Sequence, residues 1–316
     1  MSPDAMWAFP KRKPQWFARS PYALAMATLS YPLVRSVPRS VRLAAVGPLS
    51  LPVGRRLWAE RAAFAPPPGE PVWLAIRDEL VPQRAERLAW VFFQSQWRVS
   101  RFAAMGLDRI GTPRAFVTVD PAGAPRFHPS FVSTEVRIPA GIGEVEVDGW
   151  TGRRFEVVPR LTTTPTCSWE RIVTVAADVS DHLARVLPRP SDTPAHWRPM
   201  HGDFTPWNLR QDRRGRLWLL DWEEAEWAPR VADVLRYAAA VRSMEHDDVA
   251  ALVAAVAADV PATEAELAEA GEFWIRHHNF ALDHGEGDAL TNGKADDLAR
   301  GHRELDAFRA LAGVAG

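Results

Sequence analysis

The stretch His201-Gly202-Asp203-Phe204-Thr205-Pro206-Trp207-Asn208, followed by residues 209–211, a polar turn at 212–215, residues 216–220 and Asp221-Trp222-Glu223, decides how this chain is read. It reads as a loop feeding a short hairpin. Two strands joined by a tight turn bring their outer ends together, so Asn208 entering the hairpin and Asp221 leaving it are expected close in space. A hard cation fits between them. Magnesium wants oxygen ligands and takes one or two from the protein, the rest coming from water and phosphate, which suits an Asn carbonyl and an Asp carboxylate. Asp203 lies five residues before Asn208. That spacing lets the loop present its carboxylate to a substrate hydroxyl, orienting it and accepting its proton. Singly, such residues are ordinary turn and cap formers; jointly, at these spacings, they point to chemistry.

The flanking sequence predicts the frame around this loop. Short apolar runs at 88–93, 114–119 and 155–158, separated by turns such as Asp120-Pro121-Ala122-Gly123, predict a small, mostly antiparallel sheet. Over 170–187 the pattern changes to helix, with Ile172, Val175, Ala176, Val179 and Leu183 on one face and Ser168 available as a cap. Further helices are predicted over 230–244, over 247–258, from the capping box Thr263-Glu264-Ala265-Glu266 toward His284, and over 294–311. The expected class is therefore α+β, with a β-rich part before a larger helical part. The expected division is a basic N-terminal extension over 1–70, a β-rich lobe over 71–160 and a helical lobe over 161–316. Residues 65–71, with three consecutive prolines, read as a stiff connector.

The pattern H-x-D-x-x-x-x-N, with a hydrophobic strand and a further Asp downstream, is the catalytic-loop arrangement of protein-kinase-like phosphotransferases. The runs HGDFTPWNL and LLDWEEA resemble the aminoglycoside phosphotransferase and choline kinase family, over about residues 200–237. The resemblance implies a two-lobed protein-kinase-like fold and a small-molecule kinase that uses ATP or GTP with magnesium. It implies Asp203 as catalytic base, His201 as a residue holding the loop, and Asn208 and Asp221 as magnesium ligands. Asp233 is similar to the acidic residue that buttresses such sites, and on its own chemistry reads as an internal hydrogen-bond acceptor. The acceptor would be a hydroxylated small molecule. Relatives often bind cationic acceptors on acidic surfaces, and Glu223, Glu224 and Glu226 offer such a surface, or else a solvated turn. Trp207, Trp218 and Trp222 read as packing residues.

The sequence departs from the family in the β-rich part. The strand at 114–119 is similar to the family's lysine-bearing strand, yet it presents Thr118 where the lysine belongs. The three lysines, Lys11, Lys13 and Lys294, all lie elsewhere, and Phe93-Gln94-Ser95-Gln96-Trp97 stands where a glycine-rich phosphate loop would be. Arg98, Arg101, Arg114 or Arg137 are candidate phosphate contacts, with Glu135 as the partner of such an arginine, although a guanidinium is no neutral replacement for an ammonium. Two readings stay open: an active kinase, favoured by the presence of base and both metal ligands, and a catalytically weak or inactive binding module, favoured by the missing lysine.

Composition excludes several other classes. Thirty-eight basic residues against 39 acidic ones leave a formal charge of −1, which gives no general attraction for nucleic acid. Residues 1–60 hold nine Lys or Arg against Asp4 and Glu60, so this basic segment is expected to pack over acidic surface or to contact a partner or membrane. The apolar stretch 20–34 is too short and too proline-interrupted for a membrane span. Cys167 is the single cysteine, so a disulfide framework is excluded and a reducing, cytoplasmic setting is expected. His277 and His278, adjacent on a helix, point about 100° apart and are poorly placed to share a metal.

Overall fold

Strand Pro113–Pro121 (β6) shows why the first part of the chain forms a sheet: Ala115, Val117 and Val119 fall on one side and Phe116, Thr118 and Asp120 on the other. The computed structural model describes residues 5–9, 16–30, 60–66, 68–83, 85–94, 101–124, 127–159, 165–291 and 295–313. It divides into two units, one of residues 1–125, 139–163 and 212–215, the other of the remainder.

In the first unit, β1 (Ala5–Phe9), β2 (Trp16–Ala18), β3 (Glu60–Ala63), β4 (Ala89–Gln94), β5 (Phe102–Leu107), β6, β8 (Gly141–Val147) and β9 (Trp150–Phe155) form one sheet. Their order is β3-β1-β2-β4-β5-β6-β9-β8 and every pairing is antiparallel. Three of these strands come from the basic N-terminal segment, whose described residues are thus woven into the sheet through apolar stretches such as Trp16-Phe17-Ala18. Lys11, Lys13 and the arginines between residues 31 and 59 lie outside the described residues.

Helix α1 (Pro21–Ser30) places Ala23, Leu24 and Ala27 against Val91, Met105 and Leu107 on one sheet face. Helix α2 (Glu70–Leu80) places Trp73, Ile76 and Leu80 against Phe92, Phe102 and Val117 on the other. Each fully buried Val, Leu, Ile, Met or Phe side chain among these contributes roughly 1.5–3 kcal/mol. The expected connector at 65–71 is shorter than the sequence suggested, because Pro71 stands in the first turn of α2, where its missing N–H costs nothing. Similarly, the run at 155–158 is not a strand: β9 ends at Phe155.

The second unit holds β7 (Val136–Arg137), β10 (Arg198–Met200), β11 (Leu209–Gln211), β12 (Leu217–Leu219) and β13 (Glu226–Ala228), in a three-stranded sheet β11-β12-β7 and a pair β10-β13. Among the described residues its helices are α3 (Trp169–Leu183), α4 (Ala232–Arg242), α5 (Val249–Asp259), α6 (Glu264–Thr291) and α7 (Ala295–Leu311). The face predicted for α3 is the buried one: Ile172, Val175, Ala176, Val179 and Leu183 enter the core with Phe204, Leu219 and Leu235. Ser168 stands at the N-cap, but its hydroxyl serves the Glu170 carboxylate and caps no backbone N–H. The capping box of α6 closes reciprocally, Glu266 N–H donating to Thr263 Oγ1 at 3.3 Å and Thr263 N–H to Glu266 Oε2 at 2.9 Å. Asp248 caps α5 by accepting from Ala251 N–H at 2.8 Å. The α+β class read from the sequence, strands first and helices after, is the class observed. No helix among the described residues is long and apolar enough to cross a membrane.

A tight contact under the first sheet tests the packing of α2. A Cβ added at Gly152 would lie 2.2 Å from Ile76 Cγ2 and 3.2 Å from Leu80 Cδ1. Gly152→Ala is therefore expected to destabilise by about 1–3 kcal/mol and Ile76→Ala by about 2–5 kcal/mol. The double variant should be more stable than the sum of the two, by about 1 kcal/mol or more, in urea unfolding. Strict additivity would show that β9 and α2 do not meet there.

Candidate active site

The loop begins at the end of β10 and is held from below by a single carboxylate. Asp233, in the first turn of α4, accepts the backbone N–H of His201 at 2.8 Å and that of Gly202 at 3.2 Å. This is the internal acceptor expected of it. Burial pushes its pKa up to about 7, while the two backbone donors pull it down.

Gly202 has φ +85, and a Cβ there would stand 1.9 Å from the Glu224 carbonyl oxygen. Only glycine satisfies both conditions. His201 is fully buried and packs the loop. Its Nδ1 accepts the Asp203 N–H at 3.2 Å and its Nε2 lies 2.9 Å from the Leu220 carbonyl. Nδ1 therefore carries the lone pair and Nε2 the proton, which is the neutral imidazole. Burial agrees, lowering the pKa to about 3. The ring meets Trp222 edge-on with centroids 4.6 Å apart.

Asp203 and Asn208 are brought together. The Asn208 side-chain amide donates to the Asp203 backbone carbonyl at 3.0 Å and to Asp203 Oδ2 at 2.6 Å. Asp203 Oδ1 meets no hydrogen-bond donor among the described residues, and Asn208 keeps its carbonyl oxygen for another partner. Burial raises the Asp203 pKa; the Arg236 charge and the Asn208 amide act against it, with Glu224 and Glu304 adding to the rise. The hairpin closes as expected: Leu209 pairs with Leu219, and Leu220 N–H donates to Asn208 O at 3.1 Å. Asp221 follows directly, exposed, with φ 64, a left-handed backbone uncommon outside glycine. The two residues read as cation ligands thus flank the end of one hairpin that lies opposite its turn.

Other sequence expectations fare differently. Arg114 pairs with Asp108 at 2.8 Å, and Glu135 pairs with Arg171 at 3.1 Å, so each has a partner of its own. Glu135 stands before β7, not on a helix, because the Ser133 hydroxyl accepts the Glu135 and Val136 N–H groups and turns the chain. Arg137 lies over the Trp218 ring at 4.7 Å, which occupies its charged end. Arg98 and Ser95–Trp97 lie outside the described residues, as do most of the residues between Val158 and Thr164. Trp218 and Trp222 are buried packing residues, while Trp207 is half-buried beneath Arg300 at 4.7 Å. Glu223 is half-buried and Glu224 exposed; Glu226 pairs with His277 at 2.8 Å, and that ring stacks on Phe273.

Arg236 and Glu304 were missed by the sequence reading. Arg236 stands one helical turn after Asp233 and so shares its face, a spacing that was legible. It is ion-paired to Glu304 of α7, which is 2% exposed and also accepts from Ser243 Oγ at 3.1 Å. Nothing in the local sequence announces that pairing across 68 positions.

The two buried groups under the loop make opposite contributions to pH dependence. For His201, lowered from about 6.5, stability is present above pH 6.5 and is lost as pH falls toward 3. For Asp233, raised to about 7, stability is present below about pH 4 and is lost as pH rises toward 7. Between pH 4 and 6.5 the two slopes oppose each other. In Asp233→Asn, stability should therefore rise more steeply with pH over that window than in the parent, by up to about 1.4 kcal/mol per pH unit. Urea unfolding at stepped pH checks this; equal slopes would contradict the buried ionisation of Asp233.

Among solved structures the chain is similar to amicoumacin kinase hAmiN in complex with AMP-PNP, Ca2+ and Ami, at 12% identity over 74% of this chain and 95% of that one, with a TM-score of 0.39. It is also similar to a thermostable mutant of aminoglycoside phosphotransferase APH(4)-Ia in a ternary complex with ADP and hygromycin B, at 14% identity over 68% and 92%, with a TM-score of 0.34. For the apo form of that thermostable enzyme the values are 16%, 67%, 92% and 0.35. No curated protein matches the chain. Residues 161–270 match the APH model, the phosphotransferase enzyme family. That stretch, which contains the loop, the hairpin and Asp233, is therefore similar to the phosphotransferase enzyme family, the resemblance the motif suggested.

Proposed function

We propose that this protein is a small-molecule kinase that moves the γ-phosphoryl group of ATP or GTP to a hydroxyl of a metabolite or antibiotic. The observation that carries the reading is the Asp203 carboxylate: Oδ2 is fixed by Asn208, Oδ1 meets no donor among the described residues, and burial makes it more basic than an ordinary Asp. The family match over the same residues supports it. The β-rich part to residue 160 would serve the nucleotide and the helical part from 161 the acceptor.

In this mechanism the acceptor hydroxyl lies against Asp203 Oδ1, which orients it in line with the γ-phosphorus. As the acceptor oxygen bonds to phosphorus, the bond from phosphorus to the β–γ bridging oxygen breaks, and the hydroxyl proton passes to Asp203. Neutral His201 holds the Asp203 backbone through its N–H and holds the hairpin through Leu220, so the base does not drift. Asn208 and Asp221 supply the oxygen donors suited to magnesium, and the fit rests on that donor set at the hairpin end. Bound there, the cation would offset charge on the phosphates. The acidic run Glu223 and Glu224 favours a cationic acceptor. The setting proposed is cytoplasmic.

One observation favours a second reading. Thr118 stands in β6 where the family carries lysine, so a binding module that holds nucleotide without transferring phosphoryl is the alternative.

The two readings separate by experiment. In turnover assays against a panel of hydroxylated acceptors, cationic ones included, Asp203→Ala should lower kcat by about 10²–10⁴-fold while calorimetric nucleotide affinity is retained. Asp221→Ala, or EDTA with the parent, should abolish the magnesium-dependent part of nucleotide binding. Equal turnover by Asp203→Ala and the parent would remove the base assignment. Nucleotide binding without turnover on any acceptor would favour the module.

A further inference from the structure

Glu304 of α7 is 2% exposed, and a carboxylate taken that far from water needs charged or hydrogen-bonding partners. Both of its oxygens have them. Oε2 receives Arg236 Nη1 from α4. Oε1 accepts the hydroxyl of buried Ser243 at 3.1 Å and lies 3.5 Å from Arg300 Nε, one turn earlier in α7. Both arginines bear on the catalytic loop. Arg300 stands over the ring of Trp207, the residue before Asn208, at 4.7 Å. Arg236 stands one helical turn after Asp233, whose carboxylate takes the N–H groups of His201 and Gly202. It therefore shares the side of α4 that pins the loop just before Asp203.

Two carboxylates thus lie in the field of one arginine. Burial is the largest influence on Asp203, and the charges of Arg236 and Glu304 both act on it as well. Yet Arg236 is ion-paired with Glu304, while the Asp203 side chain takes the Asn208 amide as its hydrogen-bond donor among the described residues. An arginine facing a carboxylate tends to engage both oxygens at once, so Arg236 turned onto Asp203 would cover Oδ1 too. That oxygen is the one the mechanism above gives to the acceptor hydroxyl. A buried charge deprived of its partner is strongly destabilising, which drives a released arginine toward another carboxylate.

We propose that Glu304 is a positioning residue that holds Arg236 off the Asp203 carboxylate and so keeps Oδ1 open to the acceptor. Its effect on turnover rests on the kinase reading above; its hold on Arg236 rests on the contacts between α4 and α7 alone.

The test uses the full-length chain and separates the two parts. In a crystal structure of Glu304→Gln, the Arg236 guanidinium should lie within ion-pair distance, about 4 Å, of the Asp203 carboxylate. In turnover assays on an acceptor used by the parent, Glu304→Gln should lower kcat by about tenfold or more, with the nucleotide KM unchanged. Adding Arg236→Met removes the released arginine and should restore kcat by about threefold or more over Glu304→Gln alone. A residue that only stabilised the fold would give no such recovery. If Glu304→Gln fails to fold, Glu304→Asp takes its place, since its carboxylate is one methylene short of Arg236 and the same shift and recovery are expected on a smaller scale. Arg236 remaining away from Asp203 in the folded variant, or a loss of kcat that Arg236→Met does not reverse, would overturn the proposal. A parent without turnover on any acceptor would sink the kinase reading, and the position of Arg236 in the variant crystal would then decide whether Glu304 restrains it.

Discussion

The buried carboxylate of Asp233 is the constraint on which the loop depends. Removing a charge from water is costly unless hydrogen bonds replace its hydration, and here two successive backbone N–H groups, of His201 and Gly202, do so. Its place in the first turn of α4 adds the favourable end of the helix dipole. Because both donors are main-chain atoms, the carboxylate fixes the direction in which the chain leaves β10 before any loop side chain has acted. Gly202 follows in a conformation closed to other residues, against the Glu224 carbonyl. His201 then joins the loop to the hairpin, since one neutral ring accepts from Asp203 and donates to Leu220.

That chain of contacts explains why Asp203 and Asn208 meet. With the loop start pinned by Asp233 and the hairpin end pinned through Leu220, the segment between them has little freedom, and the Asn208 amide bridges both the backbone and side chain of Asp203. The charge environment follows from the same helix. Arg236, one turn along α4 from Asp233, opposes the effect of burial on Asp203, and Glu304 holds that arginine from α7. A truncated Glu304 would take that buried carboxylate from Arg236, so α7 bears on the loop through this ion pair as well as through Arg300 over the Trp207 ring.

Features written in local spacing were legible from the sequence, and features made by distant pairing were not. The buried face of α3, the capping box of α6 and the hairpin around residues 212–215 each depend on a few neighbouring residues, and each was read before the fold was known. The Asp203, Asn208, Asp221 pattern was legible for the same reason. By contrast, the partner of Glu135 is Arg171 and the partner of β12, besides β11, is the two-residue β7, contacts set by packing over long separations. The basic N-terminal segment read as an appendage because its charge count masks short apolar strands whose partners lie elsewhere in the sheet.

The missing lysine belongs to the same distinction. A strand read alone shows Thr118 and an absent cation, and from that view the family resemblance weakens. A sheet, however, is a two-dimensional array in which directly opposed residues have Cβ atoms about 4.5–5.5 Å apart, closer than i and i+2 on one strand. Arg153 is such an opposed residue. It shares a face with Thr118, paired there to Glu144 and Asp120, though it is 35 residues away in sequence. A strand read alone therefore shows which residue occupies a position, and only the register shows what stands beside it.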